Sequence, residues 1–385
     1  MTPRVLQVVL GLNPGGTERL VVELVKRLND EVPMMVCCLD DAGAWAREVE
    51  AIGVSVMALN RGPGFQPSLG RGVADAMKRH GATIIHAHHY SPFVYSALAR
   101  CRRPATRIVF TEHGRLSDAK PSGKRRAANT LLSRFPSQVF TVSEDLKRHL
   151  VAEGFPSKQV DVIYNGIDVG SLPAPAARVA VRRRLDLDDD AIVAGTIARL
   201  DPVKDLRTLI QAVAAANASG HQRSGTRLVL CIIGDGAERE GLEKATDELG
   251  ARSLVRFLGH CDDAREWLAG CDIYVNSSIS EGISLTILEG MAAGLPVVAT
   301  RVGGTPEIVN ESCARLVPAR DPDALASALT ELSAVPTLRQ TLGAAGRMRV
   351  ETRFTLDRMV GEYRSVYFGE RGAGSGKRAG SRKRS

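Results

Sequence analysis

The chain has 385 residues, 44% of them hydrophobic and 24% charged, a balance that is typical of a globular protein and excludes a low-complexity or fibrous chain. No apolar run reaches the roughly 18 residues of a membrane span, no cleavage pattern marks a signal peptide, and seven cysteines without C-x-x-C spacing favour a reduced, cytoplasmic protein over a disulfide framework or a zinc site. The formal net charge is +8, but six basic residues lie together after residue 370, so the remaining chain is only mildly basic and nucleic acid is not an expected partner.

The first half of the chain alternates short β-branched runs with helical patterns. Strands are predicted in RVLQVVLGL (4–12), VPMMVCCL (32–39), GVSVMAL (53–59), ATIIHAHH (82–89), TRIVFTEH (106–113) and QVFTVS (138–143). These runs are apolar almost throughout, as expected of strands that are covered on both faces of a sheet. Repeated strand–helix units predict an α/β fold with a parallel, doubly wound sheet.

The alternation breaks in VDVIYNGIDVGSLPAPAARVAVRRRL (160–185), which contains Asn165-Gly166, two prolines and an alanine-rich stretch, and we place a domain joint near 168–175. It then resumes with strands predicted in AIVAGTIARL (191–200), RLVLCIIGDG (227–236), LVRFLGH (254–260), CDIYVNSS (271–278), LPVVATRVGG (295–304) and ARLVPARD (314–321). We therefore predict two Rossmann-like domains, 1–170 and 171–352, that face each other across a cleft at the carboxyl ends of both sheets, where ligands bind.

The chain ends in a segment of glycine, serine, lysine and arginine at 369–385, which cannot bury apolar surface and is predicted to be disordered. We interpret it first as a solvated tail. The alternative is an electrostatic tether to the anionic inner face of a membrane, where each basic residue contributes about 1 kcal/mol.

Three polar motifs follow predicted strands of the first domain. Gly15 and Gly16 open a helix, where backbone N–H groups can approach an anion, although a simple tight turn has the same sequence. His86 and His88 share one strand face at the expected cleft edge and would suit a metal pair, but no third ligand has a suitable spacing, so we expect no metal. His113 ends a strand before a glycine and is predicted to point into the cleft.

The second domain carries two cations, Arg199 and Lys204, in one loop between a strand and a helix. Pro202 bends this loop, so both side chains could reach the same anion. The alternative is a pair of solvated surface cations. The choice depends on what else lies at the same edge of the sheet.

Two acids lie in the stretch SEGISLTILEGMAAGLPVVAT (280–300), within a predicted helix ISLTILEGMAA. Ser280 or Glu281 is the expected cap of that helix. Capping does not explain Glu289, which should lie where the helix packs on the sheet, beside Gly290, whose missing side chain leaves room for a close approach. A carboxylate there suits vicinal hydroxyls, and the helix N-terminus suits phosphate, so the set describes a nucleotide-diphosphate ligand. GDGAER (234–239) has arginine in place of the third glycine of the dinucleotide pattern, which disfavours a nicotinamide enzyme.

The ordered set of motifs resembles the family-4 retaining glycosyltransferases of the GT-B fold. The set comprises GGTER (15–19), YNGID (164–168), RLDPVKD (199–205), GDGAERE (234–240), VGGTPEIV (302–309) and the two glutamates of EGISLTILE (281–289). The likeness extends over about residues 4–368, and no single motif decides it. It implies two Rossmann-like domains facing across a cleft and a last helix, about 353–368, that returns to the first domain.

The resemblance also implies the role of each site residue. Arg199 and Lys204 would bind the donor diphosphate and stabilise the leaving group, Glu281 would contact the donor sugar, Glu289 would hold the ribose, and His113 would meet the sugar from the first domain. The remaining donor-binding positions are Gly234, Gly236, Gly282, Ile283, Ser284 and Leu285, and the phosphate or acceptor loop contains Gly15 and Gly16. Gly290 departs from the family pattern, in which alanine is more usual.

The implied activity is the transfer of a sugar from a nucleotide-diphosphate sugar to a glycan or lipid-linked acceptor, with retention of anomeric configuration and without a cofactor or metal. Matches to the D-x-D motif of metal-dependent transferases, at 186–188, 188–190 and 321–323, are interpreted as solvated caps. The alternatives are a nucleotide-sugar epimerase or phosphorylase on the same fold, and a non-catalytic nucleotide-sugar-binding partner. The basic segment 114–135 is expected to meet a lipid-linked or anionic acceptor, with peripheral membrane contact.

Overall fold

A computed structural model of the protein describes residues 2–115, 123–188, 190–218, 227–261 and 263–370. The chain divides into two compact units: Gly166–Leu356 is one, and Met1–Asn165 with the segment that begins at Asp357 is the other. The basic tail after residue 370, residues 116–122 of the basic segment, and the middle residue of the acidic triplet 188–190 lie outside the described residues.

The first unit is built on a parallel sheet of seven strands. These are β1 (Val5–Val9), β2 (Met34–Cys38), β3 (Val56–Ala58), β4 (Ile84–His88), β5 (Arg107–Glu112), β6 (Gln138–Thr141) and β7 (Val160–Val162). Their order is β3-β2-β1-β4-β5-β6-β7, and every pair is parallel. The helices between them are α1 (Gly16–Leu28), α2 (Ala46–Glu50), α3 (Leu69–His80), α4 (Tyr90–Arg100), α5 (Gly123–Leu132) and α6 (Glu144–Ala152).

The second unit has a parallel sheet of six strands. These are β8 (Ile192–Ile197), β9 (Leu228–Ile233), β10 (Val255–Gly259), β11 (Ile273–Asn276), β12 (Val297–Thr300) and β13 (Ala314–Val317), in the order β10-β9-β8-β11-β12-β13. Its helices are α7 (Pro175–Arg184), α8 (Leu206–Ala218), α9 (Arg239–Glu248), α10 (Ala264–Leu268), α11 (Leu285–Ala292), α12 (Thr305–Ile308), α13 (Pro322–Ala334) and α14 (Pro336–Arg353). A 3₁₀ turn spans Pro202–Lys204.

Each unit has its own core because its central strands are covered on both faces. All five residues of β1 and all six of β9 are buried, and both strands consist of apolar residues except for Gln7 in β1. The predicted α/β fold with two doubly wound parallel sheets is therefore confirmed. Within the described ranges, every helix is too short or too polar to traverse a bilayer.

The last helix, α15 (Leu356–Phe368), follows the second unit in the chain but from Asp357 onward belongs to the first. Its Tyr367 hydroxyl accepts a hydrogen bond from the Gln7 amide of β1, and its Tyr363 hydroxyl lies 3.2 Å from Thr111 Oγ1 of β5. The helix therefore contributes polar side chains to the face of the first sheet.

Candidate active site

The loops that follow β8 and β11 meet at a buried ion pair. Lys204 Nζ lies 2.7 Å from Glu281 Oε1, and the two side chains are 24% and 9% exposed. The same carboxylate oxygen accepts hydrogen bonds from Ser278 Oγ at 2.6 Å and Asn276 Nδ2 at 3.2 Å. A carboxylate this buried is stable only when it is paired. The three donors hold Glu281 in one orientation, and Glu281 in turn holds Lys204.

The backbone around this pair is equally constrained. The Lys204 carbonyl accepts a hydrogen bond from Ser277 Oγ at 2.8 Å, which ties the turn after β8 to the end of β11. Gly303 has a φ of +48°, and a Cβ there would lie 1.9 Å from the Glu281 carbonyl oxygen. Only glycine fits a position with both properties. The loop after β12 therefore supports Glu281 from its other side.

Arg199 lies in the same loop as Lys204 but is far more accessible. Its side chain is 75% exposed, and its guanidinium pairs with Asp201 Oδ2 at 2.7 Å. Asp201 Oδ1 also accepts the backbone N–H of Val203, which caps the 3₁₀ turn that contains Lys204. Asp201 therefore contacts both the Arg199 side chain and the turn that contains Lys204. The remaining N–H donors of the Arg199 guanidinium face solvent.

The glycines of the GDG motif pack against the loop that carries Arg199. A Cβ at Gly234 would lie 2.0 Å from the Ala198 carbonyl oxygen, and one at Gly236 would lie 2.4 Å from the Leu200 carbonyl oxygen. Both contacts are far shorter than van der Waals distance, so larger residues would push the loop away. This packing accounts for both glycines, and their contact with a donor stays a prediction.

Helix α11 begins at Leu285, later than the sequence predicts. Ser284 occupies the N-cap position, and its side chain makes no capping hydrogen bond. The prediction that Ser280 or Glu281 caps the helix is therefore wrong, because Glu281 lies in the loop before it and is bound to Lys204. The first-turn N–H groups of a helix lack intrahelical acceptors and carry partial positive charge, so this end of α11 favours an anion.

Glu289 lies one turn inside α11 and is half-buried. The neighbouring Gly290 faces Tyr274 of β11, and a Cβ at Gly290 would lie 2.4 Å from the Tyr274 Cγ. The close approach expected at Gly290 is therefore between helix and strand. Burial of the Tyr274 ring raises the pKa of its hydroxyl, and the Glu289 carboxylate adds to that shift.

In the first unit, the start of α1 contacts a histidine–glutamate pair. Gly15 is the N-cap residue and Gly16 the first residue of α1, followed by Thr17, whose Oγ1 lies 3.0 Å from His89 Nε2. His89 Nδ1 lies 3.0 Å from Glu112 Oε1. Burial acts to lower the pKa of His89, but the hydrogen bond to Glu112 and the negative charges of Glu112 and Glu18 together outweigh burial and raise it. His89 has φ 72° and ψ 164°, a region that residues other than glycine rarely occupy.

The imidazole rings of three histidines lie next to one another on the first sheet. His88 is in the middle, and its ring contacts those of His86 and His113. His86 lies within β4 and is fully buried, so the prediction that it stands at a cleft edge is wrong. Both ring nitrogens of His86 and of His88 are hydrogen-bonded to protein groups, which accounts for the pair without a metal. Burial lowers the pKa of all three imidazoles well below the usual value. Among the described residues, no three His, Cys, Asp or Glu side chains are arranged to hold a metal ion.

Two family models match the chain, one in each unit. The model described as Glycosyltransferase Family 4 matches residues 14–171, and the model described as Glycosyl transferases group 1 matches residues 191–334. A glycosyltransferase of Methanocaldococcus jannaschii, MJ1607, is 30% identical over 74% of this chain and 74% of its own length. The chain belongs to the family-4 glycosyltransferases.

Other known proteins are also similar to this chain in sequence or in fold. The lipopolysaccharide core biosynthesis glycosyltransferase LpsE of Rhizobium meliloti is 26% identical over 91% of this chain and 94% of its own. The D-inositol 3-phosphate glycosyltransferase of Streptomyces scabiei is 29% identical, and this chain spans only 60% of its length. The crystal structure of Anabaena HepE in complex with UDP and glucose superposes with a TM-score of 0.84 at 23% identity, covering 95% of this chain and 100% of that one. The likeness in fold confirms the predicted GT-B architecture.

The structure brings together some of the predicted site residues and leaves others apart. Lys204 and Glu281 are in direct contact, and Arg199 shares their loop but pairs with Asp201. Asn276 and Ser278, which hold Glu281, were not predicted; the available signal was their place in the polar end of the predicted strand CDIYVNSS (271–278). The hydrogen-bond partners of the histidines were not predicted either; they are Gln7, Thr17, Thr111, Glu112 and Tyr367.

Proposed function

We propose that the chain transfers a sugar from a nucleotide-diphosphate sugar to a glycan or lipid-linked acceptor with retention of anomeric configuration. The observation that carries this proposal is the Lys204–Glu281 pair beside the N-terminus of α11. The pair lies in the loops after β8 and β11, the two neighbouring strands at which the strand order of the second sheet reverses. Ligands of doubly wound folds bind at this point.

The chemistry of these residues suits a diphosphate leaving group. When the bond between sugar and phosphate breaks, negative charge develops on the departing nucleoside diphosphate. In this proposal Lys204 and Arg199, together with the backbone N–H groups at Gly282–Leu285, stabilise that charge, and the ion pair with Glu281 holds Lys204 in place beforehand. The sugar passes through an oxocarbenium-like state. In this proposal Glu281 contacts the sugar while it positions Lys204, and Glu289 accepts the ribose hydroxyls.

A uridine nucleotide is the first donor to test, because HepE, which has the same fold, is in complex with UDP and glucose. A surface-polysaccharide or glycolipid acceptor is favoured by the relative named for lipopolysaccharide core biosynthesis. Membership of the family also favours transfer over an epimerase or a non-catalytic nucleotide-sugar binder. We keep both alternatives as outcomes of the experiment below.

Helix α5 supplies the proposed contact with an anionic or lipid-linked acceptor. Lys124 and Arg126 are exposed on this helix. Arg125, in contrast, is held within the first unit, because it pairs with Glu153 at 3.0 Å and its guanidinium lies 4.9 Å from the ring centroid of Tyr90. Within the basic segment 114–135, which is expected to meet an acceptor, we therefore propose that Lys124 and Arg126 make the contact.

The donor is tested by thermal unfolding of the full chain with UDP-, GDP- and ADP-hexoses. A ligand at ~100 times its dissociation constant adds about 2.7 kcal/mol to the free energy of unfolding, which is easily resolved as a rise in Tm. We expect one nucleotide class to raise Tm in the wild type and in Lys244→Ala, an exposed lysine on α9, but much less in Glu289→Ala, which removes the proposed contact with the ribose. No shift with any of these donors would contradict the proposal.

Measurements of turnover distinguish a transferase from an epimerase and from a non-catalytic nucleotide-sugar binder. Incubation of the chain with the stabilising nucleotide sugar alone, followed by NMR of the sugar, would show an epimer if the protein were an epimerase. Donor binding without release of nucleoside diphosphate in the presence of hexose and octyl hexoside acceptors would favour a non-catalytic binder. The proposal predicts nucleoside diphosphate release that depends on the acceptor.

A further inference from the structure

His113 begins a chain of buried hydrogen bonds that runs across the first sheet. Its Nε2 lies 3.0 Å from His88 Nδ1, and His88 Nε2 lies 2.9 Å from Gln7 Oε1. Gln7 and His88 are at most 1% exposed. The three side chains come from β1, from β4 and from the residue that follows β5, which are neighbours in the sheet.

The chain continues from Gln7 to the last helix and back. Gln7 Nε2 donates to the Tyr367 hydroxyl at 3.0 Å, and that hydroxyl lies 2.7 Å from His86 Nδ1. His86 Nε2 lies 2.9 Å from Thr111 Oγ1. All these groups are buried away from solvent, so water does not compete for the hydrogen bonds.

Gln7 decides the direction of every hydrogen bond in this chain. Imidazole and hydroxyl groups can donate or accept at the atoms used here, whereas an amide oxygen only accepts and an amide nitrogen only donates. The amide nitrogen of Gln7 also lies 3.6 Å from Met34 Sδ, a weak acceptor. Turning the amide over would place its oxygen against that sulfur and lose this contact, so the surroundings favour the observed orientation.

The directions then follow one from another. Because Gln7 Oε1 accepts, His88 Nε2 carries the hydrogen, and the neutral His88 ring must accept at Nδ1. His113 Nε2 therefore donates to His88. On the other side, Gln7 donates to Tyr367, so Tyr367 donates to His86 and His86 donates to Thr111. Every hydrogen bond of the chain points away from His113.

Because Nε2 of the neutral His113 ring carries the hydrogen, Nδ1 is unprotonated and can only accept a hydrogen bond. That atom is buried and has no hydrogen-bond partner among the described residues. The ring itself cannot easily turn, since its centroid lies 5.2 Å from those of both His88 and His89, and the His113 backbone N–H donates to Glu112 Oε1 at 3.1 Å. An oriented, buried acceptor without a donor is costly unless a ligand supplies one.

We propose that Gln7 and His88 are positioning residues that fix His113 as a hydrogen-bond acceptor for a hydroxyl group of the donor sugar. The inference rests on the proposed function for the identity of the ligand, but the protonation pattern belongs to the free protein. An imidazole fixed in this form selects a group that donates. It disfavours sugars that carry only an acceptor at the same position, such as a carboxylate or a fluorine.

The protonation pattern is tested first, by ¹⁵N–¹H NMR of the imidazole rings in the full chain at pH 7.5. Comparison with His113→Gln identifies the His113 resonances among those of the 8 histidines. We expect the hydrogen of His113 on Nε2 and none on Nδ1. A hydrogen on Nδ1 would overturn the proposal even if the protein proves to be an active transferase.

Two variants test whether Gln7 sets the pattern. Gln7→Leu and Gln7→Met each remove the acceptor of His88 Nε2, and both are expected to populate the second tautomer of His113. Tyr363→Phe is the matched control, because Tyr363 contacts Thr111 at the far end of the chain. If Gln7→Leu does not fold, the unbranched Gln7→Met carries the test. An unchanged His113 tautomer in every folded variant would overturn the role of Gln7.

Donor analogues then test the ligand. At one sugar position, the deoxy and the deoxyfluoro donor should raise KM equally, by roughly fivefold, the factor for one neutral hydrogen bond of about 1 kcal/mol, because neither analogue can donate. His113→Gln should abolish that discrimination. A deoxyfluoro donor that retains the wild-type KM at the position where the deoxy donor loses affinity would show that His113 donates, and would overturn the proposal.

Discussion

Lys204 Nζ and Glu281 Oε1 lie 2.7 Å apart although 77 residues separate them in the sequence. The pair joins the loop after β8 to the loop after β11. Glu281 is the more buried partner, so it depends on Lys204 for charge compensation, while Lys204 depends on Glu281 for its orientation. The two residues therefore depend on each other structurally in the second half of the chain.

Lys204→Ala should reduce turnover far more than it reduces donor binding. If Lys204 stabilises charge that develops on the leaving diphosphate, its removal costs about 2.7–4 kcal/mol of barrier, or roughly 10²–10³ in kcat. The measurement is the rate of nucleoside diphosphate release at saturating donor. Lys244→Ala, which removes an exposed lysine of α9, should keep the wild-type rate. Wild-type turnover in Lys204→Ala would remove Lys204 from the mechanism.

The same pair should show energetic coupling in the free protein. Lys204→Ala removes a charged hydrogen bond from a carboxylate that is 9% exposed, and we expect the free energy of unfolding to fall by about 1.5–3 kcal/mol. The double variant Lys204→Ala/Glu281→Gln should lose less free energy of unfolding than the two single variants lose in sum. Urea unfolding should give a coupling free energy of about 1–2 kcal/mol. The exposed pair Arg207–Glu248 is the control and should couple by less than about 1 kcal/mol. Additive effects at Lys204 and Glu281 would contradict the ion pair.

Gly290→Ala should destabilise the protein although alanine is the better helix former. The added Cβ would lie 2.4 Å from the Tyr274 Cγ, and overpacking of this kind costs about 1–3 kcal/mol. Gly241, inside α9, has nothing within 4 Å of its would-be Cβ, so Gly241→Ala should gain up to about 1 kcal/mol from helix propensity. Urea unfolding of the two variants gives the comparison. Equal effects would show that α11 is not in contact with Tyr274 as described.

Stability should fall as pH is lowered below about 6.5. The folded protein keeps His86, His88 and His113 neutral, because burial lowers the pKa of each well below its usual value, while the unfolded chain binds these protons near pH 6.5. Each group then costs up to about 1.4 kcal/mol per pH unit on acidification. His89 acts with the opposite sign: its pKa is raised, so its contribution is present below pH 6.5 and is lost as pH rises through the folded value.

The measurement for this pH dependence is the urea midpoint between pH 7.5 and pH 5.5. We expect the midpoint to fall with pH in the wild type, and to fall less steeply in His113→Gln. His260→Gln, which changes an exposed histidine, should keep the wild-type slope. A midpoint that rises on acidification would contradict the assignment of neutral, buried histidines.

Lys124→Ala with Arg126→Ala should weaken sedimentation with vesicles of phosphatidylcholine and phosphatidylglycerol. Each exposed cation near an anionic surface contributes about 1 kcal/mol, so the double change should lower partitioning by roughly thirtyfold at low salt. The charge-matched control is Lys244→Ala with Arg207→Ala, both exposed in the second unit. Identical sedimentation of the two double variants would contradict a membrane-facing α5.

The two sheets could be predicted from the sequence because most of their strands are apolar runs bounded by turn residues. Strand β7 was missed; it has three residues with Asp161 between two valines, too short a run to show strand character. The predicted start of α11 was too early. The apolar residues of ISLT continue the helical pattern, but the backbone of Ser284 is still extended and the helix begins only at the next residue. Loop residues that pack well on a core are difficult to distinguish from a first helical turn.

The site was predicted residue by residue, but its contacts were not. Glu281 and Lys204 were both expected to touch the donor, yet their contact with each other depends on β8 and β11 being neighbours, which the order along the chain does not reveal. The histidine network depends on Tyr367, 281 residues away from His86 in the sequence. Gln7 was a visible signal, as the polar residue in an otherwise apolar strand, but its partners could be found only in three dimensions.

The most direct test of the central claim is proton NMR of the reaction of the full chain with its stabilising nucleotide sugar and an octyl hexoside acceptor. We predict release of nucleoside diphosphate together with a glycoside that keeps the anomeric configuration of the donor, and loss of both products in Lys204→Ala. An inverted glycoside, an epimerised donor without transfer, or full activity in Lys204→Ala would contradict the account.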